Sequence, residues 1–295
     1  MARSAVFARK IHPSTVNRQG WDDGELFPTP RPNSGEPRTD TSFDRLPPRE
    51  RDFRKLLKFV ADRTGSNKVV KAGQVSPTAW LRLFQLAQKP EHLETVVEVF
   101  PQWKRSGKNF SLLHGEMFVR RCGELNCPLL ALQVFGDRPK HSLDLSFRAA
   151  QDLLHSLYEK YPLEDTVTTA SLFGVYALPP ITGDLCSCAM LYAACMQSDK
   201  KSAQVLANAL RPHLIQAMLN TKPLDSRENL MGSRHSVKPY LWLLRALKRI
   251  KKLHKEKGMG SSWIAPEWLG RRPDQVTTPG KYKMSPDAQP YAIPS

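Results

Sequence analysis

The stretch Val75-Ser-Pro-Thr-Ala-Trp-Leu-Arg-Leu-Phe-Gln-Leu-Ala87 contains both the start signal and the apolar face of one helix. Ser76 is a favourable N-cap, and Pro77 suits the first helical position because a residue there needs no backbone N–H donor. Apolar residues then recur at spacings of three and four, which places Trp80, Leu83, Phe84 and Ala87 on one face. A second amphipathic helix is predicted from Glu91, so the segment predicts a helical hairpin.

The same start recurs along the chain. Intervals of 35, 35 and 36 residues separate four predicted openings of a first helix: Ser76, Ser111, Ser146 and Thr182. Equivalent positions agree in character, as in the columns Leu83, Phe118, Leu153, Ala189 and Val97, Leu132, Val167, Ala203. One hairpin cannot bury its apolar face alone, whereas stacked hairpins cover one another and form a superhelix with a concave face. The sequence favours an all-α array with repeats near 76–110, 111–145, 146–181 and 182–219 over a non-repetitive helical bundle.

Composition divides the rest of the chain. Residues 1–20 hold four basic side chains and no acid, with small and hydroxylated residues between them. This composition is typical of a mitochondrial transit peptide and predicts a matrix location, the alternative being an ordinary basic tail. Residues 21–48 are proline-rich and predict an extended arm. A helical domain is expected over 49–257, closed by a basic helix at 236–257 and followed by a proline-rich basic tail at 258–295.

The net charge is +16, from 44 Lys and Arg against 28 Asp and Glu, and more than half of it lies in residues 234–295. A charge this large favours a polyanionic partner. The closing helix has an apolar stripe that includes Leu243, Leu247 and Ile250, and its other faces are cationic except for Glu256. We predict that its cations contact RNA phosphates, the alternative being a solvated face: Arg245, Lys248, Arg249, Lys251, Lys252, Lys255 and Lys257.

The C-terminal tail adds further candidates. Arg271, Arg272, Lys281 and Lys283 are predicted to bind the same RNA. Trp263 and Trp268 either fold back on the helical body or insert into a partner, and we predict that they anchor a protein interface rather than stack on bases.

Catalytic and metal-binding patterns are absent from the sequence. There is no Walker loop, dinucleotide-binding glycine motif, zinc-protease motif or nucleophile elbow. Five cysteines without a C-x-x-C pair disfavour a disulfide framework or a zinc site, and Cys122 and Cys195 are expected to be buried thiols. His114 reads as a packing residue, and Glu164-Asp165 reads as a helix start. We therefore expect no enzyme activity, cofactor, small-molecule substrate or membrane span.

Two segments resemble a known repeat family. Val75-Ser-Pro-Thr-Ala-Trp-Leu81 through Lys104-Arg-Ser-Gly107, and Cys122-Gly-Glu-Leu-Asn-Cys-Pro-Leu-Leu-Ala-Leu-Gln-Val-Phe135, are similar to degenerate pentatricopeptide (PPR) repeats. The resemblance covers about 75–219 and implies a right-handed α-solenoid like those of PPR and TPR proteins. It also implies base-reading positions at Thr78, Arg148 and Asp184. The corresponding Leu113 offers no hydrogen bond and Arg148 is long, which favours a scaffold over a base-by-base reader.

Three functions follow as expectations. The first is a structural constituent of the mitochondrial small ribosomal subunit that binds rRNA and neighbouring ribosomal proteins, because the chain resembles helical-repeat proteins of that subunit, particularly fungal ones. The second is a PPR-type organellar RNA factor in mRNA processing or translation. The third is an RNA-independent assembly factor for a mitochondrial complex.

Overall fold

The computed structural model describes residues 46–66, 68–70, 74–221, 223 and 234–269. The chain divides into two units, Met1–Arg45 and Leu46–Ser295, and the described residues belong to the second. Its described residues form eleven α-helices and two short 3-10 helices, and they contain no β-strand. The predicted all-α class is therefore confirmed. The predicted transit peptide and most of the proline-rich arm lie outside the described residues.

The helix bounds follow the sequence signals closely. The helices are α1 (Pro48–Arg63), α2 (Pro77–Leu86), α3 (Pro90–Arg105), α4 (Leu112–Glu124), α5 (Pro128–Gly136), α6 (Arg138–His141), α7 (Phe147–Leu157), α8 (Leu163–Val175), α9 (Leu185–Gln197), α10 (Lys201–Asn220) and α11 (Arg234–Glu256). The 3-10 helices are Ile181–Gly183 and Pro266–Leu269.

Three of the four predicted openings are N-caps. The Ser76 hydroxyl accepts from the Thr78 N–H, and the Ser146 hydroxyl accepts from the Ala149 N–H at 3.2 Å. At Ser111 the backbone N–H donates to Nδ1 of His114 at 3.2 Å, so Nε2 of that ring carries the proton and donates to the Pro77 carbonyl at 3.0 Å. His114 is buried, as a packing residue, and it ties the start of α4 to the start of α2.

The fourth opening was predicted wrongly. Thr182 lies inside the 3-10 helix, and α9 begins at Leu185 with Asp184 as its N-cap. The Asp184 carboxylate accepts from the Ser187 N–H at 2.7 Å, which a hydroxyl at Thr182 is too far back in the chain to do. The first helices of the pairs thus start at 77, 112, 147 and 185, at intervals of 35, 35 and 38 residues.

Four helices end in the same left-handed turn. Gly107, Asn126, Ala177 and Gly258 each adopt a positive φ at the second residue after a helix ends. The N–H of the next residue then donates to a carbonyl five residues back, as from Cys127 to Cys122 at 2.9 Å and from Leu178 to Phe173 at 2.8 Å. This Schellman arrangement satisfies the last carbonyls of α3, α4, α8 and α11 and reverses the chain direction.

The first helices of successive pairs contact one another in order. Helix α4 packs against both α2 and α7, and α7 packs against α9, while α5 contacts α8. Leu83, Phe118 and Leu153, which share one predicted column, are all fully buried in these contacts. Val167, from the second column, is 38% exposed, so that column is not uniformly part of the core.

The interior forms two clusters of different composition. The first runs from α1 to α8 and is rich in rings, including Trp80, Phe84, Phe100 and Phe118. The second surrounds α9, in which every residue from Cys186 to Met196 is buried, and it is covered by α10 and α11. A helix that is apolar on all sides must be enclosed. Cys122 and Cys195 are buried thiols, as predicted.

Candidate nucleic-acid interface

Helix α11 has one buried face and one cationic face. Leu243, Ala246, Leu247, Ile250 and His254 point into the second cluster and are almost fully buried. The opposite side of the helix carries five exposed cations: Arg245, Lys248, Lys251, Lys252 and Lys255. Because α11 rises about 1.5 Å per residue, these cations extend over about 15 Å. The predicted amphipathic pattern of this helix is confirmed.

Three of the predicted phosphate ligands are paired within the chain. The guanidinium of Arg245 makes two bonds to Glu159, with its Nη2 2.5 Å from Oε2 and its Nε 2.8 Å from Oε1. Lys252 lies 3.7 Å from Glu256 in the next turn, and Lys257 lies 3.2 Å from Asp199. Glu256 is the only acid that the sequence places close to these cations, so the partners of Arg245 and Lys257 could not be predicted from it.

The remaining lysines on this face make no ion pair with the described residues and could contact an anionic partner. Within the described part of the chain, Lys248, Lys251 and Lys255 are exposed and make no ion pair. Arg249 is different, since it is half-buried beside Tyr158, and its Nε is buried without a hydrogen-bond partner among the described residues. We define Lys248, Lys251 and Lys255 as the lysine row.

The two tail tryptophans belong to the core of this chain. Trp268 is only 8% exposed and lies in the second cluster. Trp263 packs edge-on against Tyr192 and His254, with ring centroids 6.3 and 5.8 Å away. The prediction that they anchor a partner is therefore corrected, because burial against α9 and α11 leaves Trp268 no surface to offer. Arg271, Arg272, Lys281 and Lys283 lie outside the described residues.

The residues predicted to read bases do not form one set. Thr78 is exposed in the first turn of α2, where its hydroxyl lies 2.9 Å from that of Ser76. Arg148 lies at the equivalent position of α7 and is half-buried. Asp184 instead caps α9 and also accepts from the Gln151 amide at 2.8 Å. Its carboxylate is committed to structure, so its assignment as a base reader is corrected.

Sequence reasoning missed a cleft beside α11. A cavity of about 440 Å³ lies between the C-terminal half of α4, the exposed side of α7 and the stretch of α11 from Lys238 to Arg245. Trp242 and Lys238 line it from α11, and Asp152, His155 and Glu159 line it from α7 and its end. The i, i+3, i+7 spacing of the last three residues is the signal that could have placed them on one helix face.

Burial governs the titration of this cleft. It lowers the pKa of His155 to about 4, assisted by the positive charges of Arg245 and Lys238 and opposed by Glu159. Burial also disfavours the charged form of Asp152 and so raises the pKa of its carboxyl, whereas the positive charge of Lys238 lowers it. The Lys238 Nζ lies 4.0 Å from Asp152 Oδ1. The cleft is thus a partly desolvated site with a neutral imidazole at neutral pH.

Comparison with protein-family models, with curated proteins and with solved structures finds no match for this chain. Among the described residues, no helix combines the length and the apolar character required to cross a bilayer. That same part of the chain holds no cluster of His, Cys, Asp or Glu arranged to bind a metal ion.

Proposed function

We propose that this chain is a structural constituent of the mitochondrial small ribosomal subunit, in which α11 binds rRNA phosphates and the helical pairs form a scaffold for neighbouring ribosomal proteins. The lysine row is the observation that carries the proposal. Three exposed lysines without an acidic partner in the described chain occupy one face of a helix whose other face is anchored in the core. A helix that is merely solvated mixes the two signs of charge for i, i+4 pairing.

The proposed scaffold is a right-handed α-solenoid of PPR-like hairpins. It is supported by the ordered contacts of α2, α4, α7 and α9 and by helix starts at nearly constant intervals. In such an array each hairpin covers the next, and the last one needs a cover with a polar outer face. Helix α11 packs on α9 in that position, and it would therefore both close the array and carry the cations.

The phosphate contact is tested by removing the lysine row. We expect the triple variant Lys248→Gln, Lys251→Gln, Lys255→Gln to weaken RNA binding and to lower the slope of log K against log salt by about 2 for single strands. A matched control is Lys55→Gln, Lys89→Gln, Lys201→Gln, which removes the same charge from exposed positions on other elements. Equal slopes for the two variants would show that the cations of α11 are solvated and do not contact RNA phosphates.

The ribosomal assignment is tested by sedimentation. We expect the tagged chain to remain with the small subunit at high salt, and to be recovered from the mitochondrial matrix. Recovery only in ribosome-free fractions would contradict the proposal. Partners that all persist after RNase treatment would favour the RNA-independent assembly factor, and sequence-selective binding that survives loss of the lysine row would favour the PPR-type RNA factor.

A further inference from the structure

The cleft between α4, α7 and α11 has an aromatic floor. The indole of Trp242 stacks on the imidazole of His155, with ring centroids 4.5 Å apart and planes 21° from parallel. Both side chains are partly exposed, and both line the cavity of about 440 Å³. The pair therefore borders the open space of the cleft. Such a pair offers a planar ligand an aromatic surface on which to stack once the Lys238 side chain, which lies over the Trp242 ring, moves aside.

The rim of the cleft is polar and its acids are already compensated. Glu124 bonds to Arg120 at 3.0 Å and to Arg121 at 2.6 Å, and Glu159 bonds to Arg245. The Nζ of Lys238 lies beside Asp152 and 5.9 Å from the centre of the Trp242 ring. Lys160 and Asn126 add an exposed cation and an amide. An anionic ligand therefore meets cations at the rim. The carboxylates of Glu124 and Glu159 are paired with arginines, and Lys238 partly compensates the charge of Asp152.

The cleft and the lysine row are neighbours on the same helix. Arg245 borders the cleft, and Lys248 follows it three residues later, on the next turn of α11. Residues three apart on a helix have Cβ atoms about 5–6 Å apart. A backbone held by the lysine row therefore passes the mouth of the cleft within the reach of one nucleotide.

We propose that this cleft is a binding site for one unstacked base of a single-stranded RNA segment, which stacks on Trp242 while its neighbouring phosphates contact the lysine row. The inference rests on the proposed RNA contact of α11 and deepens it, since it names the form of RNA that is bound. Proteins that hold single strands combine a cationic track with aromatic rings. A duplex keeps its bases stacked, so it would engage the lysine row alone.

Binding of two RNAs to the full chain tests the site. The probes are a fluorescently labelled uridine dodecamer and a labelled blunt-ended RNA duplex of two strands, measured by anisotropy at one fixed salt concentration. We expect Trp242→Leu to weaken dodecamer binding by about fivefold to a hundredfold, the loss of one stacked base, with duplex binding within about twofold of wild type. Leu241→Ala is the matched control, because Leu241 is exposed beside Trp242 on the same helix.

A second variant guards against loss of folding. Trp242→Phe keeps a ring on His155, so its dodecamer affinity should fall between those of wild type and Trp242→Leu. The dodecamer should also quench part of the wild-type tryptophan emission, and that part should be missing in Trp242→Phe. Wild-type dodecamer affinity in both variants, or equal losses for dodecamer and duplex, would overturn the cleft site.

The two proposals fail separately. If the lysine-row variant loses both RNAs and the Trp242 variants lose neither, α11 binds phosphates and the cleft holds no base. If the lysine-row variant binds as well as wild type, the proposed RNA contact of α11 fails first, and the base site fails with it.

Discussion

The two hydrophobic clusters of this chain are built from different side chains. In the first, Phe100 meets the rings of Trp80, Phe110 and Phe118 at centroid distances of 5.6, 5.1 and 5.6 Å, all edge to face. In the second, the central helix α9 is packed with alanine, cysteine and methionine and is enclosed by α10 and α11. Large rings fill the space between amphipathic helices, whereas small residues allow whole helices to approach one central helix.

This difference makes the two clusters depend on different helices. The first cluster is closed by its own hairpins, while the second cluster requires α11 as a cover. Because the apolar face of α11 is buried in the second cluster, its cations lie at the surface. Helix α7 contributes to both clusters, with Leu153 in the first and Leu154 in the second, so the cleft beside it lies at their junction.

The largest predicted effect is the loss of the central ring of the first cluster. We expect Phe100→Ala to cost about 3–5 kcal/mol of unfolding free energy, because the cavity would also remove the edge-to-face contacts. Urea unfolding followed by circular dichroism measures it. Phe59→Ala is the matched control, since that ring is 37% exposed and should cost far less. Similar losses for the two would mean that the rings do not hold this cluster together.

The second effect is a pH dependence at the junction. His155 has a folded-state pKa of about 4, below its ordinary value of 6.5, so between these values the unfolded chain binds more protons. Stability should therefore fall as pH drops from about 6.5 to 4, by at most about 3 kcal/mol.

Comparison with His155→Gln isolates this contribution. The pKa of the nearby Asp152 carboxyl is raised, which favours the folded state at low pH and acts in the opposite direction. The difference in slope between wild type and variant cancels that contribution. Parallel stability curves for the two proteins over this range would show that burial in the cleft does not hold the imidazole neutral.

The third effect is steric and contrasts two glycines. A Cβ at Gly115 would lie 2.3 Å from the Asp144 carbonyl oxygen, whereas a Cβ at Gly174 meets nothing within 4 Å. We expect Gly115→Ala to cost about 2–3 kcal/mol by overpacking and Gly174→Ala to stabilise α8 by about 0.5–1 kcal/mol. Thermal melts of both variants should move in opposite directions. A shift of both in the same direction would contradict close packing of α4 on the loop before α7.

The starts of the helices could be predicted from the sequence because they depend on nearby residues. Ser76, Ser111 and Ser146 could be placed as caps because a cap depends on neighbours within three residues. Thr182 was wrong because the turn at 181–183 delays the helix until Asp184 can cap it, and α6 was missed because four residues show no periodicity. The cationic face of α11 was predicted from the excess of lysine and arginine in its sequence alone.

Long-range pairing could not be read from the sequence. Arg245 and Glu159 are 86 residues apart, and nothing in either segment names the other. The same holds for the stacking of Trp242 on His155, which can be predicted only if α11 is known to lie beside α7 as well as on α9. The amphipathic stripe of α11 predicts that it docks, and only the fold shows where. The cleft is therefore a product of tertiary structure, whereas the cationic face is a product of sequence.

The smallest predicted effect concerns the polar contact within the second cluster. Nδ1 of His254 lies 3.1 Å from the Gly260 carbonyl, which can only accept, so Nδ1 carries the proton. In the neutral ring Nε2 is then the acceptor for the Tyr192 hydroxyl at 2.9 Å. Tyr192→Phe would leave that nitrogen buried without a donor, at a cost of about 1–2 kcal/mol.

This contact decides whether the cover on α9 is held by packing alone. Tyr192 lies on α9 and His254 on α11, so the bond joins the enclosed helix to its cover. Tyr158→Phe is the matched control, because its hydroxyl makes only a 3.3 Å bond to the adjacent Glu159 and should matter less. Urea unfolding of both variants measures the difference. If Tyr192→Phe is neutral, apolar burial alone fixes α11, and the position of the lysine row follows from the shape of the second cluster without help from a polar contact.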